Sequence, residues 1–263
     1  MTIAVGFTYD QGIVLCADTK ITTDIQTSES KLAFFCSVDQ QCCFAVAISG
    51  NDMDYARSAV DSCWEMIQKL DFSNTTMEIV HHSAQFALAE FYEDKILNHP
   101  DRSLGVLDFK LLVGIWLKGE TRLFMSRETL LIPVPNYQCV GSGAYLANYL
   151  IRQYVQANPS PPTLADAAFV ASLAVDAAME HDPHCGGENE ILIIRNNGDC
   201  GNAYETAMYP NSNLAKRLQF ETWRLIHDLA HCKQGETNAA LEAHFERVRK
   251  INTAAEYWPP TQR

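Results

Sequence analysis

The chain has 263 residues, with 20 Lys+Arg against 32 Asp+Glu for a formal net charge of −12, and 47% of its residues are hydrophobic. That apolar share supplies a core and excludes a disordered chain. A sequence pI near 5.0 excludes the basic surface that general nucleic-acid or anionic-membrane binding requires. The charge is uneven, since residues 1–204 hold 12 basic and 25 acidic residues while residues 205–263 hold 8 and 7. The tail is therefore compositionally distinct from the body.

Ile3–Tyr9 and Ile13–Ala17 are apolar runs around Asp10-Gln11-Gly12, which predicts a β-hairpin at the chain start. Leu32–Phe35 and Cys42–Ile48 form a second pair, followed by the Ser49-Gly50-Asn51-Asp52 punctuation. Asp52 is a suitable N-cap for a helix over 52–70, and apolar residues at helical spacing predict another over 76–97. A further hairpin is expected from Phe109–Leu117 and Thr121–Met125, then a short strand Tyr137–Val140 ending in Gly141-Ser142-Gly143. Helices over 144–157 and 164–180 and strands over Glu190–Arg195 and Tyr204–Met208 complete the body. Hairpin-connected strands imply mostly antiparallel sheets, and two sheets with two helix pairs imply a four-layer sandwich with the helices outside. Leu214–Ala230 and Thr237–Val248 read as an appended helical hairpin before Trp258-Pro259-Pro260.

No apolar run approaches the roughly 20 residues of a membrane span, Leu111–Leu117 being among the longest. The start lacks a basic n-region and meets Asp10 early, so a signal peptide is not expected. A cytoplasmic protein with its nine cysteines as reduced thiols is the corresponding expectation. No Cys-x-x-Cys occurs, so zinc ribbons and thioredoxin-type sites lack support.

Thr2-Ile3, residues 12–19, Lys31-Leu32, Ile48-Ser49-Gly50, residues 140–145 and residues 182–187, taken in this order, together resemble proteasome β-type subunits and their bacterial relatives, including the Anbu-like group. Thr2-Ile3 follows the initiator Met, and Gly12-Ile13-Val14-Leu15-Cys16-Ala17-Asp18-Thr19 is similar to the family's G-V-V-L-A-A-D-T/S run. Lys31-Leu32 resembles its K-L element and Ile48-Ser49-Gly50 its S-G turn. Val140-Gly141-Ser142-Gly143-Ala144-Tyr145 resembles G-S-G-x-x-Y, and Asp182-Pro183-His184-Cys185-Gly186-Gly187 resembles D-x-x-S-G-G, with Cys185 in place of the usual Ser. The resemblance implies an αββα N-terminal nucleophile hydrolase domain over residues 1–208 and a helical C-terminal extension over 209–263.

It also implies a chemistry. A threonine hydroxyl is a weak nucleophile that needs an adjacent base, and a terminal α-amine with a reference pKa near 8 can be that base. Removal of Met1 before the small Thr2 would expose this amine without any propeptide. The implied roles are Thr2 as nucleophile, Lys31 beside it, Asp18 holding the lysine, and Gly50 as an oxyanion donor worth about 3 kcal/mol. Ser142, Asp182 and Cys185 would support the terminal amine. Ile21, Glu29, Ala33 and Ile48 are expected to line the substrate pocket. Peptides or unfolded chains are the implied substrates, in a homo-oligomeric ring or spiral, with no cofactor or metal and with any unfoldase partner undefined.

Competing readings are a non-catalytic relative acting through assembly and a metal-dependent hydrolase. The metal reading draws on His227-Asp228-Leu229-Ala230-His231, with Cys232 or His244 as a third ligand, or on His181, Asp182, His184 and Cys185.

Overall fold

The computed structural model describes residues 2–22, 26–100, 107–157, 161–196, 206–210 and Glu246. The chain divides into two compact units, Met1–Pro210 and Asn211–Arg263. The expected tail helices over 214–230 and 237–248, and the His227–His231 pattern, lie outside the described residues.

The first unit holds two five-stranded antiparallel sheets. One has the order β10-β1-β2-β11-β12, from Tyr137–Gly141, Ile3–Tyr9, Gly12–Asp18, Asn189–Arg195 and Thr206–Pro210. The other runs in sequence order, β5-β6-β7-β8-β9, from Leu32–Cys36, Cys42–Gly50, Phe109–Leu117, Glu120–Arg127 and Leu130–Val134. A small ribbon of β3 (Lys20–Thr22) and β4 (Gln26–Ser28) stands apart from both.

Both sheets are covered on both faces, which is why their central strands read as nearly continuous apolar runs. In β6 the two faces differ in size. Cys43, Ala45 and Ala47 meet Ala4, Ile13 and Leu15 of the facing sheet. Phe44, Val46 and Ile48 point the other way, into a cluster with the helices α1 (Met53–Ile67) and α2 (Met77–Phe91). The first sheet buries Ile3, Val5, Val14 and Cys16 against α3 (Ala144–Ala157) and α4 (Leu164–His181). The result is the four-layer αββα sandwich expected from the sequence.

Local chemistry sets the helix ends. Asp52 caps α1, accepting from Asp54 N at 3.0 Å and Tyr55 N at 3.1 Å. Thr163 and Asp166 form a reciprocal capping box on α4. The inner face of α4 is alanine-rich, with Ala167, Ala171, Ala174 and Ala178 fully buried, which lets the helix lie close to the sheet. The pattern read as one helix over 76–97 instead changes to a π-helical turn over Tyr92–Leu97. Among the described residues no helix is long and apolar enough to cross a membrane.

Cysteine is a structural component of this core. Burial pushes the thiols of Cys42, Cys63, Cys139 and Cys185 from 9.0 up to about 12, and raises Cys16 as well. A folded pKa above the unfolded one gives stability that is complete below 9.0 and lost as pH rises toward 12. Urea unfolding monitored by circular dichroism is therefore expected to show a midpoint that falls steeply once pH passes 9.0. A Cys63→Val, Cys139→Val double variant should flatten that fall.

Candidate active site

The ends of several strands converge at one end of the sandwich. Thr2 precedes β1, Asp18 closes β2, Lys31 leads into β5, and Gly50 closes β6. Thr2, Asp18 and Lys31 are all essentially buried, at 1%, 0% and 1% exposure. Their side chains touch one another.

Thr2 Oγ1 donates to Asp18 Oδ1, while Lys31 Nζ donates to Thr2 Oγ1 at 2.5 Å and to Asp18 Oδ1 at 2.8 Å. The third Lys31 contact is the Lys20 carbonyl at 2.5 Å. Three acceptors match the three N–H bonds of an ammonium group. Burial nevertheless lowers the Lys31 pKa, against the opposing pull of the Asp18 charge and hydrogen bond. Asp18 is the hub of the arrangement. Its Oδ1 also accepts from Ile3 N at 3.1 Å, and its Oδ2 accepts from Gly186 N at 3.0 Å.

Gly50 stands beside this group. Ile48 N donates to Lys31 O at 2.9 Å on the β5 side, and Asn51 N donates to Asp108 O at 3.0 Å on the β7 side. Antiparallel ladders alternate, so the Gly50 N–H faces the β5 side, one step beyond Lys31. Packing keeps the position small, because a Cβ here would lie 2.7 Å from the Cβ of Phe109.

Ser142, Asp182 and Cys185 form a second group. Ser142 Oγ lies 3.8 Å from Cys185 Sγ, Cys185 Sγ lies 3.6 Å from Asp182 Oδ2, and His184 N donates to Asp182 Oδ1 at 2.9 Å. Burial pushes the Asp182 carboxyl upward, but the hydrogen bonds from Ser142, His184 N–H and Cys185 outweigh it and hold the pKa below the ordinary value. The segment carrying this group is coupled to the first one by the Gly186 N–H on Asp18. Among the described residues no hydrogen bond runs directly from Ser142, Asp182 or Cys185 to Thr2.

Glycines make the close approach possible. Gly141 has φ +108°, and a Cβ there would lie 1.9 Å from the Thr2 carbonyl oxygen, so no side chain fits beside the start of β1. Gly187, with φ +81°, passes Thr19 Oγ1 at a distance that leaves no room for a Cβ either.

The four pocket candidates fall in two places. Ile21 and Ala33 are partly buried against the same apolar cluster that holds Ile48 at 2% exposure. Glu29 lies at the surface, paired with Arg57 at 2.8 Å. The motifs imply no role for Thr19 or Lys20. Thr19 Oγ1 accepts from Glu188 N at 2.7 Å and Ser28 Oγ at 2.8 Å, and Lys20 Nζ reaches Pro183 O at 2.8 Å. They tie the β3–β4 ribbon to the segment after α4. The signal was the Asp18-Thr19 run itself, of which only Asp18 received a function. Among the described residues no group of three His, Cys, Asp or Glu side chains is placed to hold a metal ion.

A family model described as Proteasome subunit matches residues 2–194. No curated protein sequence matches the chain significantly. Among solved structures, the chain is similar to an Anbu (Gly-1) mutant from Hyphomicrobium sp. strain MC1, at TM-score 0.68 and 17% identity, covering 89% of this chain and 99% of that one. Anbu (ancestral beta-subunit) from Yersinia bercovieri gives 0.67 and 15%, over 88% and 98% of the two chains. The Anbu complex from Pseudomonas aeruginosa, described as a helical assembly, gives 0.63 and 13%, over 88% and 97%. At such identities the structural likeness is a likeness of fold, and the family model supplies the relationship. The chain belongs to the proteasome subunit family.

Proposed function

We propose that this protein is an N-terminal threonine peptidase, with Thr2 as the nucleophile after removal of Met1. The single observation that carries the reading is the buried contact set of Thr2 Oγ1 with Asp18 and Lys31. A hydroxyl held between a carboxylate and a lysine amine has its proton and its lone pairs oriented before any substrate arrives.

In the proposed reaction Thr2 Oγ attacks the amide carbonyl carbon and its proton passes to the new α-amine. Lys31 lowers the pKa of that amine by charge and stabilises the developing alkoxide. The Gly50 N–H receives the oxyanion. The α-ammonium then protonates the leaving nitrogen, the carbon–nitrogen bond breaks, and an ester to Thr2 remains. Water, deprotonated by the same amine, cleaves the ester and restores the enzyme. Asp18 holds Lys31 and the segment at Gly186, while Ser142, Asp182 and Cys185 order the surroundings of the amine. Ile21, Ala33 and Ile48 form the apolar side of the substrate pocket, with Glu29 at its rim. No cofactor enters the scheme.

Substrates are peptides or unfolded chains, met by a homo-oligomer in the cytoplasm. The helical assembly named for the Pseudomonas aeruginosa relative supports an open spiral over a closed ring. The test is intact mass spectrometry before and after treatment with a threonine-directed epoxyketone. The expected result is a mature mass lacking Met1 and a single adduct on Thr2 that Thr2→Ala abolishes. A retained Met1, or an adduct indifferent to Thr2→Ala, overturns the proposal in favour of a subunit that acts through assembly alone.

A further inference from the structure

At the end of the β5–β6 hairpin remote from Lys31 and Gly50, two thiols face each other. Cys36 Sγ and Cys43 Sγ lie 3.4 Å apart, on residues that are direct cross-strand partners. Ser37 N donates to Cys42 O at 2.9 Å, which makes Ser37 and Cys42 a hydrogen-bonded pair. The ladder alternates, so Cys36 and Cys43 occupy a non-hydrogen-bonded pair, whose Cα atoms approach to about 4.5 Å. That spacing falls within the roughly 4.4–6.8 Å that a disulfide spans.

The two thiols differ in access. Cys43 is fully buried between the sheets. Cys36 is partly exposed, and β5 is the edge strand of its sheet. The turn that joins them is already fixed. Gln40 N donates to Ser37 O at 2.9 Å, and Ser37 Oγ accepts from Gln41 N and Cys42 N at 3.0 Å each. Little conformational freedom remains to be lost when the sulfurs join. Cys42 projects from the opposite face of β6, into the helix-covered cluster, so it does not compete for Cys36.

We propose that Cys36 and Cys43 form a reversible cross-strand disulfide by exchange with a small-molecule disulfide. In the first step the Cys36 thiolate attacks one sulfur of the small disulfide. A mixed disulfide forms, and the other half leaves as a thiolate that takes up the proton Cys36 lost. Cys43 then loses its proton and attacks Cys36 Sγ, which releases the second half as a thiol. The cysteine pair is oxidised by two electrons, and one small disulfide is reduced to two thiols. Cys36 is the entry point because it is the reachable sulfur, and Cys43 resolves because it is the adjacent one.

The test uses the full chain equilibrated with oxidised glutathione, quenched in acid, alkylated, digested and mapped by mass spectrometry. The expected product links residues 36 and 43 with the loss of two hydrogens, takes no alkyl group at either position, and reverts in excess reduced glutathione. Cys43→Ala, which keeps the buried position apolar, is expected to stop at one glutathionyl group on Cys36. Cys36→Ala is expected to give neither the link nor an adduct at Cys43. Should Cys43→Ala fail to fold, a wild-type time course in which the Cys36 adduct precedes the link serves the same purpose. Full alkylation of both positions in the wild type, a stable Cys36 adduct there, or a link from Cys36 to another cysteine overturns the proposal.

Discussion

Asp18→Ala is expected to be the most destabilising single change in the described part of the molecule. The carboxylate is fully buried, and it satisfies four donors at once: Thr2 Oγ1, Lys31 Nζ, Ile3 N and Gly186 N. Removing it leaves a buried lysine without its counter-charge, for which about 3–5 kcal/mol is typical. For a domain of this size that corresponds to a fall in Tm of roughly 6–20 °C, to be read by calorimetry. The partner change tests the explanation. Asp18→Leu combined with Lys31→Met removes both charges, and a buried pair replaced by apolar groups is often close to neutral. The double variant should therefore recover part of the lost Tm. It should not recover all of it, because Ile3 N and Gly186 N still lack their acceptor. A double variant no better than Asp18→Ala would mean that the four hydrogen bonds, rather than the unpaired charge, set the cost.

Lys31→Met is expected to have the opposite balance, with a large loss of turnover and a smaller loss of stability. Asp18 keeps three of its four donors in this variant, so the protein should remain folded. The hydroxyl of Thr2 loses the one N–H that faces its lone pair at 2.5 Å. With the proposed chemistry, peptide hydrolysis is expected to fall by about 10²–10⁴-fold, the usual contribution of a positioned proton-transfer partner. Steady-state assays on a fluorogenic peptide library would show it as a fall in kcat with little change in KM. A fall in KM-dependent binding alone would move Lys31 from the chemistry to the pocket.

The parts of this fold that were readable in the sequence are those where the apolar pattern was enforced by burial, in the central strands on both sides. β1, β2, β6 and β7 belong to that class, while β5 and α1 to α4 are readable from the apolar pattern of the one face that each buries. β9 is not legible in the sequence, since Pro133 is the fourth of its five residues. The structure accommodates that proline because β9 is the edge of its sheet, where a missing donor costs little. The β3–β4 ribbon was also missed. Its residues are mostly polar, and the ribbon is held by contacts from far along the chain, through Lys20 N on Gly186 O and Glu188 N on Thr19 Oγ1. No local pattern encodes a partner more than 160 residues away.

The site followed the same division. Thr2, Asp18 and Lys31 were named from motif order, and the fold brings their side chains into contact. The role of Gly186 as a donor to Asp18 could not be read from spacing, because it depends on where the segment after α4 crosses β2. Glu29 is placed near Lys31 by sequence position alone, and its surface pairing with Arg57 of α1 has no local pattern to announce it.

β1 is paired on both sides, with Ile3 opposite Gly141 and Ala4 opposite Ala17, so it cannot slide without turning every side chain to the wrong face. One residue of extended chain advances by about 3.3 Å, more than the whole 2.5 Å gap between Lys31 Nζ and Thr2 Oγ1. The place of the threonine is thus a matter of counting rather than of fine adjustment. The number of residues between the Thr2 hydroxyl and the first paired strand position is held to an integer by the register of β1.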